Sequence, residues 1–321
     1  MLSFTPKDRA QLAALSLDTI AQKIPLQPLI WPEIAPAKLK LYLRRDDLIS
    51  PSYSGNKFYK LYHNVIDGIE SQKSTILTFG GAYSNHIHAL AALGHELGLK
   101  TIGVIRGTRP ENLSPTLQDA SAWGMELIFV SKMQYRHKDL ASIEALAPLL
   151  AADDIFVIPE GGANLAGVEG CRAISKAVRA SLPADTAYYL CSATATGTTL
   201  AGLVAATPTQ ASNIGFSVLK GPDTITGTVN RHLQSLGLES INQFTVETDY
   251  HFGGYAKITP ELIDFIKRFE GHNDLKLDPV YTGKMLYGIE QLALNGYWSE
   301  GSTVVAIHSG GLQGRRGYPQ L

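Results

Sequence analysis

Ser54-Gly55-Asn56-Lys57-Phe58-Tyr59-Lys60-Leu61 is the stretch on which the interpretation of this sequence depends. It follows a strand-like run that ends in Arg44-Arg45-Asp46-Asp47-Leu48. A turn of small residues presents Lys57 at the start of a predicted helix, whose positive end should lower the pKa of the lysine from about 10.4. A lysine that is neutral part of the time is a nucleophile toward aldehydes, so Lys57 is a Schiff-base candidate. Taken alone, the motif fits a solvated surface lysine better.

Composition sets the class of protein. The 321 residues are enough for two domains with cores of their own, and the net charge of −1 gives no basic field for nucleic acid or an anionic membrane. Cys171 and Cys191 have neither a disulfide-framework nor a metal-ligand spacing. Residues 1–20 do not resemble a signal peptide, and no apolar run approaches the roughly 20 residues of a membrane helix. We therefore expect a cytoplasmic protein.

Apolar runs, glycine-rich turns and helix-like segments alternate along the chain. Strands are predicted at residues 39–43, 75–79, 101–105, 126–130, 155–158, 187–192, 214–219 and 303–307. Helices are predicted at 57–68, 85–97, 116–123, 138–150, 168–182, from 200 onward, and at 223–236, 260–269 and 283–294, with an irregular loop at 247–254. This alternation predicts an α/β fold with parallel sheets covered by helices. Ligands of such sheets bind beyond the carboxyl ends of the strands.

The turn Gly80-Gly81-Ala82-Tyr83-Ser84-Asn85-His86 comes at one such end. Ser84 is explained as a helix N-cap. The functional interpretation is that free N–H groups at this helix start bind a carboxylate, with Ser84 and Asn85 as further donors. His86 and His88 fall on different helix faces and no cysteine or carboxylate completes a ligand set, so we predict no metal site.

The segment Ser192-Ala193-Thr194-Ala195-Thr196-Gly197-Thr198-Thr199-Leu200-Ala201-Gly202-Leu203 joins a strand to a helix. Its hydroxyls, its glycines and the helix start suit a phosphate group, although a merely tight turn would look similar. It has neither the Gly-Lys-Ser/Thr of a Walker loop nor the G-x-G-x-x-G of dinucleotide folds, which favours a smaller phosphorylated ligand.

Two further turns complete a chemical set. Tyr281, in Asp278-Pro279-Val280-Tyr281-Thr282-Gly283-Lys284, is placed to stack on an aromatic ligand or to act as an acid or base. Ser309, in His308-Ser309-Gly310-Gly311, is placed to bond a ring nitrogen. A Schiff-base lysine, a phosphate cradle, a stacking tyrosine and a ring-nitrogen partner are the requirements of a pyridoxal phosphate site.

At this point the chain resembles the 1-aminocyclopropane-1-carboxylate deaminase and D-cysteine desulfhydrase family of fold-type-II pyridoxal phosphate enzymes. The resemblance covers nearly the whole chain and rests on six motifs in the order of the family: residues 44–48, 54–61, 79–86, 196–203, 278–284 and 308–311. It implies two three-layer α/β domains with twisted, mostly parallel sheets, like those of the tryptophan synthase β-subunit, and a homodimer. The small domain would comprise residues 58–162, and the large domain residues 1–57 and 163–321.

The resemblance also implies roles for individual residues. Lys57 would carry the cofactor, and Asn85 would contact its phenolic oxygen. Ser84 would meet the substrate carboxylate. The phosphate would be held by Thr196, Gly197, Thr198 and Thr199; Tyr281 would flank the cofactor ring, Tyr255 would be a second active-site tyrosine, and Ser309 would meet the ring nitrogen.

The chain departs from the family at four positions. Ser54 replaces a glycine, and Tyr59 replaces a basic residue. Cyclopropane deaminases carry a glutamate after the stacking tyrosine and a leucine before the final Gly-Gly, where this chain has Thr282 and Ser309, as the desulfhydrases do. A neutral hydroxyl suffices when a Cα proton is removed and a good leaving group departs from Cβ, so we expect β-elimination from a small amino acid such as D-cysteine. Cyclopropane deamination, a cofactor-free enzyme acting on a phosphorylated ligand, and a pyridoxal phosphate binder without activity remain alternatives.

Overall fold

The structure is a computed structural model that describes residues 12, 16–138, 140–151, 153–238 and 244–321. Its strands are β1 (Leu26–Pro28), β2 (Lys40–Arg44), β3 (Thr75–Gly80), β4 (Lys100–Arg106), β5 (Glu126–Val130), β6 (Ile155–Val157), β7 (Tyr188–Thr194), β8 (Ala211–Ser217), β9 (Phe244–Glu247) and β10 (Thr303–Ile307). Its α-helices are α1 (Leu17–Gln22), α2 (Asn56–Glu70), α3 (Asn85–Leu97), α4 (Pro115–Ala122), α5 (Lys132–His137), α6 (Ala147–Ala151), α7 (Leu165–Ser181), α8 (Thr198–Ala206), α9 (Ile225–Ser235), α10 (Pro260–Asn273) and α11 (Thr282–Leu294).

The described strands form two sheets. One has the order β1-β2-β10-β7-β8-β9, and the other has the order β5-β4-β3-β6. All neighbours for which the register is known run parallel except β1 and β2. Every residue of β3 and β10 is buried, as expected for strands with helices on both faces. The predicted α/β fold with mostly parallel sheets is confirmed.

The smaller sheet draws all its strands from residues 75–157, and the larger sheet draws its strands from the flanking parts of the chain. Pairing of β2 with β10 therefore closes the larger sheet over a long sequence separation. The domain boundaries at residues 57/58 and 162/163 stay a prediction, with which this division of strands is consistent.

Local sequence signals set many helix ends. Helix α3 begins after Ser84, whose hydroxyl oxygen accepts a hydrogen bond from the Ile87 N–H, and it ends at Gly98 in the left-handed conformation. Both bounds agree with the prediction for residues 85–97.

The helix predicted at residues 138–150 is wrong. Lys138 adopts the left-handed conformation and ends α5, short 3-10 turns follow at Leu140–Ser142 and Glu144–Leu146, and α6 begins only at Ala147. Pro148 lacks an N–H and suits a first helical turn, so it favours a new helix start over continuation. The apolar spacing that predicted one helix instead arises from separate turns that pack on the smaller sheet.

The sequence-based interpretation also missed β1, β9 and α1. The strands β1 and β9 are short and lie at the two edges of the larger sheet, where pairing with one neighbour decides the structure more than local pattern does. No helix in the described residues is long and apolar enough to cross a membrane, and none of their histidine, cysteine and acidic side chains form a group of three that could hold a metal.

Helices α2 and α7 approach each other unusually closely. A Cβ atom built at Gly170 of α7 would lie 1.9 Å from the carbonyl oxygen of Tyr59 in α2. Because α2 carries Lys57 near its start, this contact helps to fix where the lysine lies.

We expect Gly170→Ala to lower the free energy of unfolding by about 1–3 kcal/mol, because the added methyl group meets backbone that cannot move independently. Urea denaturation measures the change. Gly271→Ala is the matched control, since Gly271 lies in α10 with no atom within 4 Å of an added Cβ, and it should gain about 0.5–1 kcal/mol. Equal effects of the two substitutions would contradict the close approach.

Candidate active site

A cavity of about 930 Å³ lies at the carboxyl ends of strands from both sheets. Its walls come from the turns after β3, β6, β7 and β8, from the start of α2, and from the loop before α11. The predicted site residues on its wall are Lys57, Ser84, Asn85, Thr196, Gly197, Thr199, Tyr255 and Tyr281. Thr198 and Ser309 are buried behind it. The structure therefore brings most of the predicted residues together, and their individual roles stay predictions.

Lys57 is a partly buried amine at the first turn of α2. Its Nζ donates a hydrogen bond to Asn56 Oδ1 at 3.0 Å and lies 5.9 Å from the centre of the Tyr281 ring. Burial and the nearby positive charge of Lys60 lower the pKa of Lys57 to about 7. A large fraction of such an amine is neutral at neutral pH, which is the state required of a nucleophile.

Lys60 is a site residue that sequence reasoning missed. Its Nζ donates to the Gly161 carbonyl at 3.1 Å and to Thr196 Oγ1 at 3.4 Å, and burial lowers the pKa of Lys60 to about 8. The available signal was spacing, because residues three apart on a helix lie on one face and Lys57 was already the candidate. Lys60 adds positive charge to the segment predicted to hold phosphate.

The predicted phosphate cradle is ordered around the start of α8. Gly197 has a φ of 75°, which lets the chain turn from β7 into the helix. The hydroxyls of Thr196 and Thr198 are 3.1 Å apart, and Thr199 Oγ1 accepts a hydrogen bond from Asn56 Nδ2 at 2.9 Å. Asn56 therefore connects the cradle to Lys57, and sequence reasoning missed this role too. The first N–H groups of a helix lack intrahelical partners and attract anions.

The turn before α3 has the capping geometry expected of it. Ser84 Oγ accepts from the Ile87 N–H at 3.3 Å, which is the N-cap role. Asn85 Oδ1 accepts a hydrogen bond from Gln313 Nε2, and a Cβ at Gly311 would lie 2.3 Å from Asn85 Nδ2. The Asn85 amide thus packs against the C-terminal segment. Contacts of these two residues with a substrate or cofactor stay predictions.

His86 is neutral and its tautomer follows from its partners. Thr78 Oγ1 donates to the Ile158 carbonyl at 2.8 Å, so it must accept the hydrogen bond from His86 Nε2 at 2.9 Å. The Nδ1 atom is buried and finds no hydrogen-bond partner among the described residues. Burial, followed by the charges of Lys57 and Lys60, holds the pKa of His86 well below its usual value. The ring therefore adds no third positive charge beside the two lysines.

Two tyrosines form a pair on the wall of the cavity. The Tyr281 hydroxyl donates to the Tyr255 hydroxyl at 3.5 Å, and the ring centres are 6.0 Å apart. The buried Asp278 carboxylate accepts hydrogen bonds from the N–H groups of Val280, Tyr281 and Thr282, which fixes the backbone that carries Tyr281. Burial and the adjacent Tyr255 raise the pKa of Tyr281 well above its usual value, so Tyr281 is protonated.

Ser309 lies at the contact between the last strand and the lysine turn. Its carbonyl accepts from the Asn56 N–H at 3.3 Å, and a Cβ at Gly55 would lie 1.9 Å from the same oxygen. A Cβ at Gly310 would lie 2.5 Å from Ser54 Oγ. Ser54 therefore packs against Gly310. Residue 55 must be glycine, because its φ is 67° and a Cβ atom would overlap the Ser309 carbonyl. The predicted bond of Ser309 to a ring nitrogen is untested.

Tyr59 takes part in a buried ion-pair network. Arg44 Nε lies 3.1 Å from both Asp46 carboxylate oxygens, and Arg44 Nη2 donates to Tyr59 Oη and to the Ala21 carbonyl. The Tyr59 hydroxyl donates to Asp46 Oδ1 at 2.8 Å. The Asp46 carbonyl also accepts from the Gly55 N–H at 2.9 Å. Tyr59, where the resemblance leads one to expect a basic residue, therefore stabilises the turn and the helix of Lys57.

These residues fit the expected pyridoxal phosphate. One cavity is lined by the partly neutral Lys57, by the predicted phosphate segment together with Lys60, and by the Tyr281 ring. The donor set matches an aldehyde, a phosphate and an aromatic ring.

Comparison with known proteins agrees. A sequence model of the family described as "Pyridoxal-phosphate dependent enzyme" matches residues 20–310. A putative 1-aminocyclopropane-1-carboxylate deaminase of Pyrococcus furiosus is 30% identical over 292 residues, 85% of each chain. The bifunctional D-cysteine desulfhydrase/1-aminocyclopropane-1-carboxylate deaminase of Arabidopsis thaliana is 28% identical, with 87% of this chain and 74% of that protein covered. The crystal structure of an ACC deaminase homologue aligns with a TM-score of 0.79 at 27% identity, covering 94% of this chain and 96% of the other.

We expect the free Lys57 amine to titrate near pH 7 in protein freed of cofactor. Acetylation with isotopically labelled acetic anhydride across pH, read by mass spectrometry of the Lys57 peptide, measures the midpoint. The unfolded chain binds this proton up to about pH 10.4, so the contribution of Lys57 to stability should rise as pH increases from about 7 to about 10. Lys60→Gln removes a neighbouring positive charge and should move the midpoint upward. A midpoint near 10 in both proteins would contradict the electrostatic description.

We expect Tyr59→Phe to lower the free energy of unfolding by about 1–3 kcal/mol, because buried Arg44 and Asp46 each lose a hydrogen-bond partner. Tyr297→Phe, at a side chain with 44% of its surface exposed, is the control and should change stability by less than about 0.5 kcal/mol. Chemical denaturation of both variants measures the difference. A Tyr59→Phe protein as stable as the control would show that the hydroxyl is dispensable.

Proposed function

Because the chain belongs to the pyridoxal-phosphate dependent enzymes, and among them to the 1-aminocyclopropane-1-carboxylate deaminase and D-cysteine desulfhydrase family with its type II fold, we propose that it catalyses β-elimination from a small amino acid. The cofactor is pyridoxal 5'-phosphate. D-cysteine is the substrate that we propose, with pyruvate, ammonia and sulfide as products. Membership in this family argues against the alternative of a cofactor-free enzyme.

The observation that carries the proposal is Lys57, an amine with a pKa of about 7 that faces the paired tyrosines across one cavity. A general base works best when its pKa lies near the working pH, since it is then both available and basic. Tyr281 lies within reach of the same region, so acid and base groups of different strength share the cavity.

Different residues of the chain would hold different parts of the cofactor. Lys57 would be its covalent attachment point, the Thr196–Thr199 segment with Lys60 would hold the phosphate, and Tyr281 would flank the ring. When bound, pyridoxal phosphate withdraws electrons from the bonds of the substrate Cα and so makes the Cα proton acidic. The amide of Asn85 would contact the oxygen substituent of the ring.

Substrate binding depends on the turn before α3. Ser84 and the N–H groups at the start of α3 would bind the substrate carboxylate, because a helix start favours an anion. Lys57 Nζ, once free, accepts the Cα proton. Its lowered pKa allows it to accept this proton and to lose it again at neutral pH.

The tyrosine pair would supply a proton to the group that leaves Cβ. The Tyr281 hydroxyl donates to Tyr255, which leaves the Tyr255 proton available to the cavity. Tyr255 would protonate the sulfur as it leaves Cβ, and Tyr281 would stabilise the Tyr255 oxygen by its own hydrogen bond. One water molecule is consumed, so D-cysteine gives pyruvate, ammonia and hydrogen sulfide with atoms in balance.

Thr282 favours elimination over ring opening. Its side chain is fully buried, and its hydroxyl has no hydrogen-bond partner among the described residues. A glutamate at this position, which the resemblance associates with cyclopropane deaminases, would add a negative charge directly after Tyr281, where this chain has a neutral hydroxyl. Removal of an ordinary Cα proton requires less electron withdrawal by the cofactor than opening of a cyclopropane ring does.

The homodimer and the domain boundaries implied by the resemblance, and the cytoplasmic location expected from the composition, remain proposals. Light scattering of the purified protein measures the oligomeric state directly.

We expect the purified protein to show a visible absorption band that borohydride abolishes, and to release sulfide and pyruvate from D-cysteine. Lys57→Ala should lose the band and at least about 10³-fold in rate, because it removes both the attachment point and the base. Lys176→Ala is the matched control, since Lys176 is an exposed lysine bonded to Asp18, and it should retain both signals.

Three other outcomes are decisive. A four-carbon keto acid released from 1-aminocyclopropane-1-carboxylate, without sulfide from D-cysteine, would establish the deaminase instead. A band with no product from either amino acid would establish a binder without this activity. Near-normal turnover by Lys57→Ala would contradict the role of the lysine.

A further inference from the structure

The cavity has a cationic rim that the proposed reaction does not use. Arg106 is the last residue of β4, Lys132 is the first residue of α5, and Lys257 lies in the loop after Tyr255. Arg106 pairs in register with Val130, so the parallel strands β4 and β5 bring Arg106 and Lys132 to one edge of the smaller sheet. Lys257 belongs to the part of the chain that builds the larger sheet, so positive charge reaches the cavity from both sides.

Arg106 is held beside the proposed carboxylate site. Its guanidinium carbon lies 5.8 Å from the centre of the Tyr135 ring, a cation–π contact that orients the planar group. Its Nη2 atom would lie 3.7 Å from a Cβ at Gly81, in the turn that leads to Ser84. The guanidinium therefore lies beside the turn that holds the proposed carboxylate site.

The charges around the cavity do not balance. The side chains of three basic residues are exposed: Arg106, Lys132 and Lys257. None of them forms an ion pair with a carboxylate among the described residues. Both carboxylates of the cavity wall are already engaged. Glu160 bonds Lys138 at 2.7 Å, and Asp278 accepts three backbone N–H groups.

The segment predicted to hold the phosphate does not use the positive charge of these three residues. Lys60 reaches Thr196 in the cradle and Lys57 bonds Asn56, so the inner lysines serve the cofactor side of the cavity. The three rim cations come from separate segments and line the same cavity. A single solvated surface cation is ordinary, whereas convergence from three segments on one cavity is a binding pattern.

We propose that this enzyme prefers amino acids whose side chain carries a second anionic group, bound at the rim by Arg106 with Lys132 and Lys257. The inference rests on the proposed function, since it names the substrate class of the same site. Guanidinium groups bind carboxylate and sulfonate oxygens in pairs, which suits Arg106 as the main contact.

A non-reacting pair of ligands tests binding apart from chemistry. Calorimetry on the holoenzyme compares 3-sulfopropanoate with propanoate, which differ only in the added anion. We expect the sulfonate to bind about tenfold more tightly at low salt and to lose most of this advantage at high salt. Equal affinity of the two ligands would overturn the proposal, whether or not the enzyme eliminates anything from D-cysteine.

Substitutions identify the rim residues. Arg106→Gln should bring the two affinities to within about twofold of each other, and Lys132→Gln or Lys257→Gln should each reduce the ratio by about two- to fivefold. Arg109→Gln is the matched control, because Arg109 is an exposed arginine that contacts the Phe129 ring and lies outside the cavity wall. An unchanged ratio in Arg106→Gln would overturn the assignment. Should that variant fail to fold, the Lys132→Gln/Lys257→Gln double variant tests the rim instead, and an affinity ratio equal to that of the unsubstituted enzyme would overturn the proposal.

Kinetic measurements test whether the preference for a second anionic group also affects turnover. D-serine O-sulfate and O-acetyl-D-serine lose sulfate and acetate from Cβ with the bonding electron pair, and both yield pyruvate and ammonia with one water. We expect kcat/KM to favour the sulfate ester by about tenfold, and Arg106→Gln to lower the value for that ester about fivefold more than the value for the acetate ester. If neither ester reacts while the sulfonate still binds through Arg106, the anion site stands and the elimination reaction is wrong.

Discussion

The buried ion pair of Arg44 and Asp46, closed by the Tyr59 hydroxyl, is the interaction on which the site depends. Arg44 ends a strand of the larger sheet, Asp46 accepts the Gly55 N–H through its carbonyl, and Tyr59 lies on the helix that presents Lys57. Removing one partner of such a pair leaves a buried charge without compensation, which costs about 3–5 kcal/mol. The network therefore fixes the lysine turn relative to the sheet, and the chemistry of the lysine follows from that placement.

The electrostatics of the cavity have a simple origin. Two lysines three residues apart lie on one face of α2, Lys60 buried and Lys57 partly buried, so each positive charge is costly and the pKa of Lys57 falls to about 7. The Asp278 carboxylate offsets part of this effect on Lys57, and it also accepts three backbone N–H groups. A phosphate in the cradle and anions at the rim are the missing negative charges. The proposed phosphate site and the proposed anion preference would thus have one physical cause.

Much of this architecture could be predicted from the sequence, and the failures have identifiable reasons. Buried parallel strands and capped helices were predicted well, because apolar runs and N-cap residues are local signals. The segment 138–150 was misassigned since apolar spacing cannot distinguish one helix from successive turns. The edge strand β9 was missed because its stability comes from pairing with β8. Lys60 and Asn56 were overlooked because their partners lie more than 100 residues away.

By itself, the sequence determined the fold class, the family and the cofactor, because these depend on short motifs with strict local geometry, and the role of Lys57 stays a prediction. Only the tertiary structure decided which residues share the cavity. It showed that Tyr59 closes an ion-pair network rather than facing a ligand, and that Ser309 lies behind the cavity wall. It also brought Arg106 and Lys257 to one rim. Such relations arise from strand register and helix packing across distant segments, which no local pattern encodes.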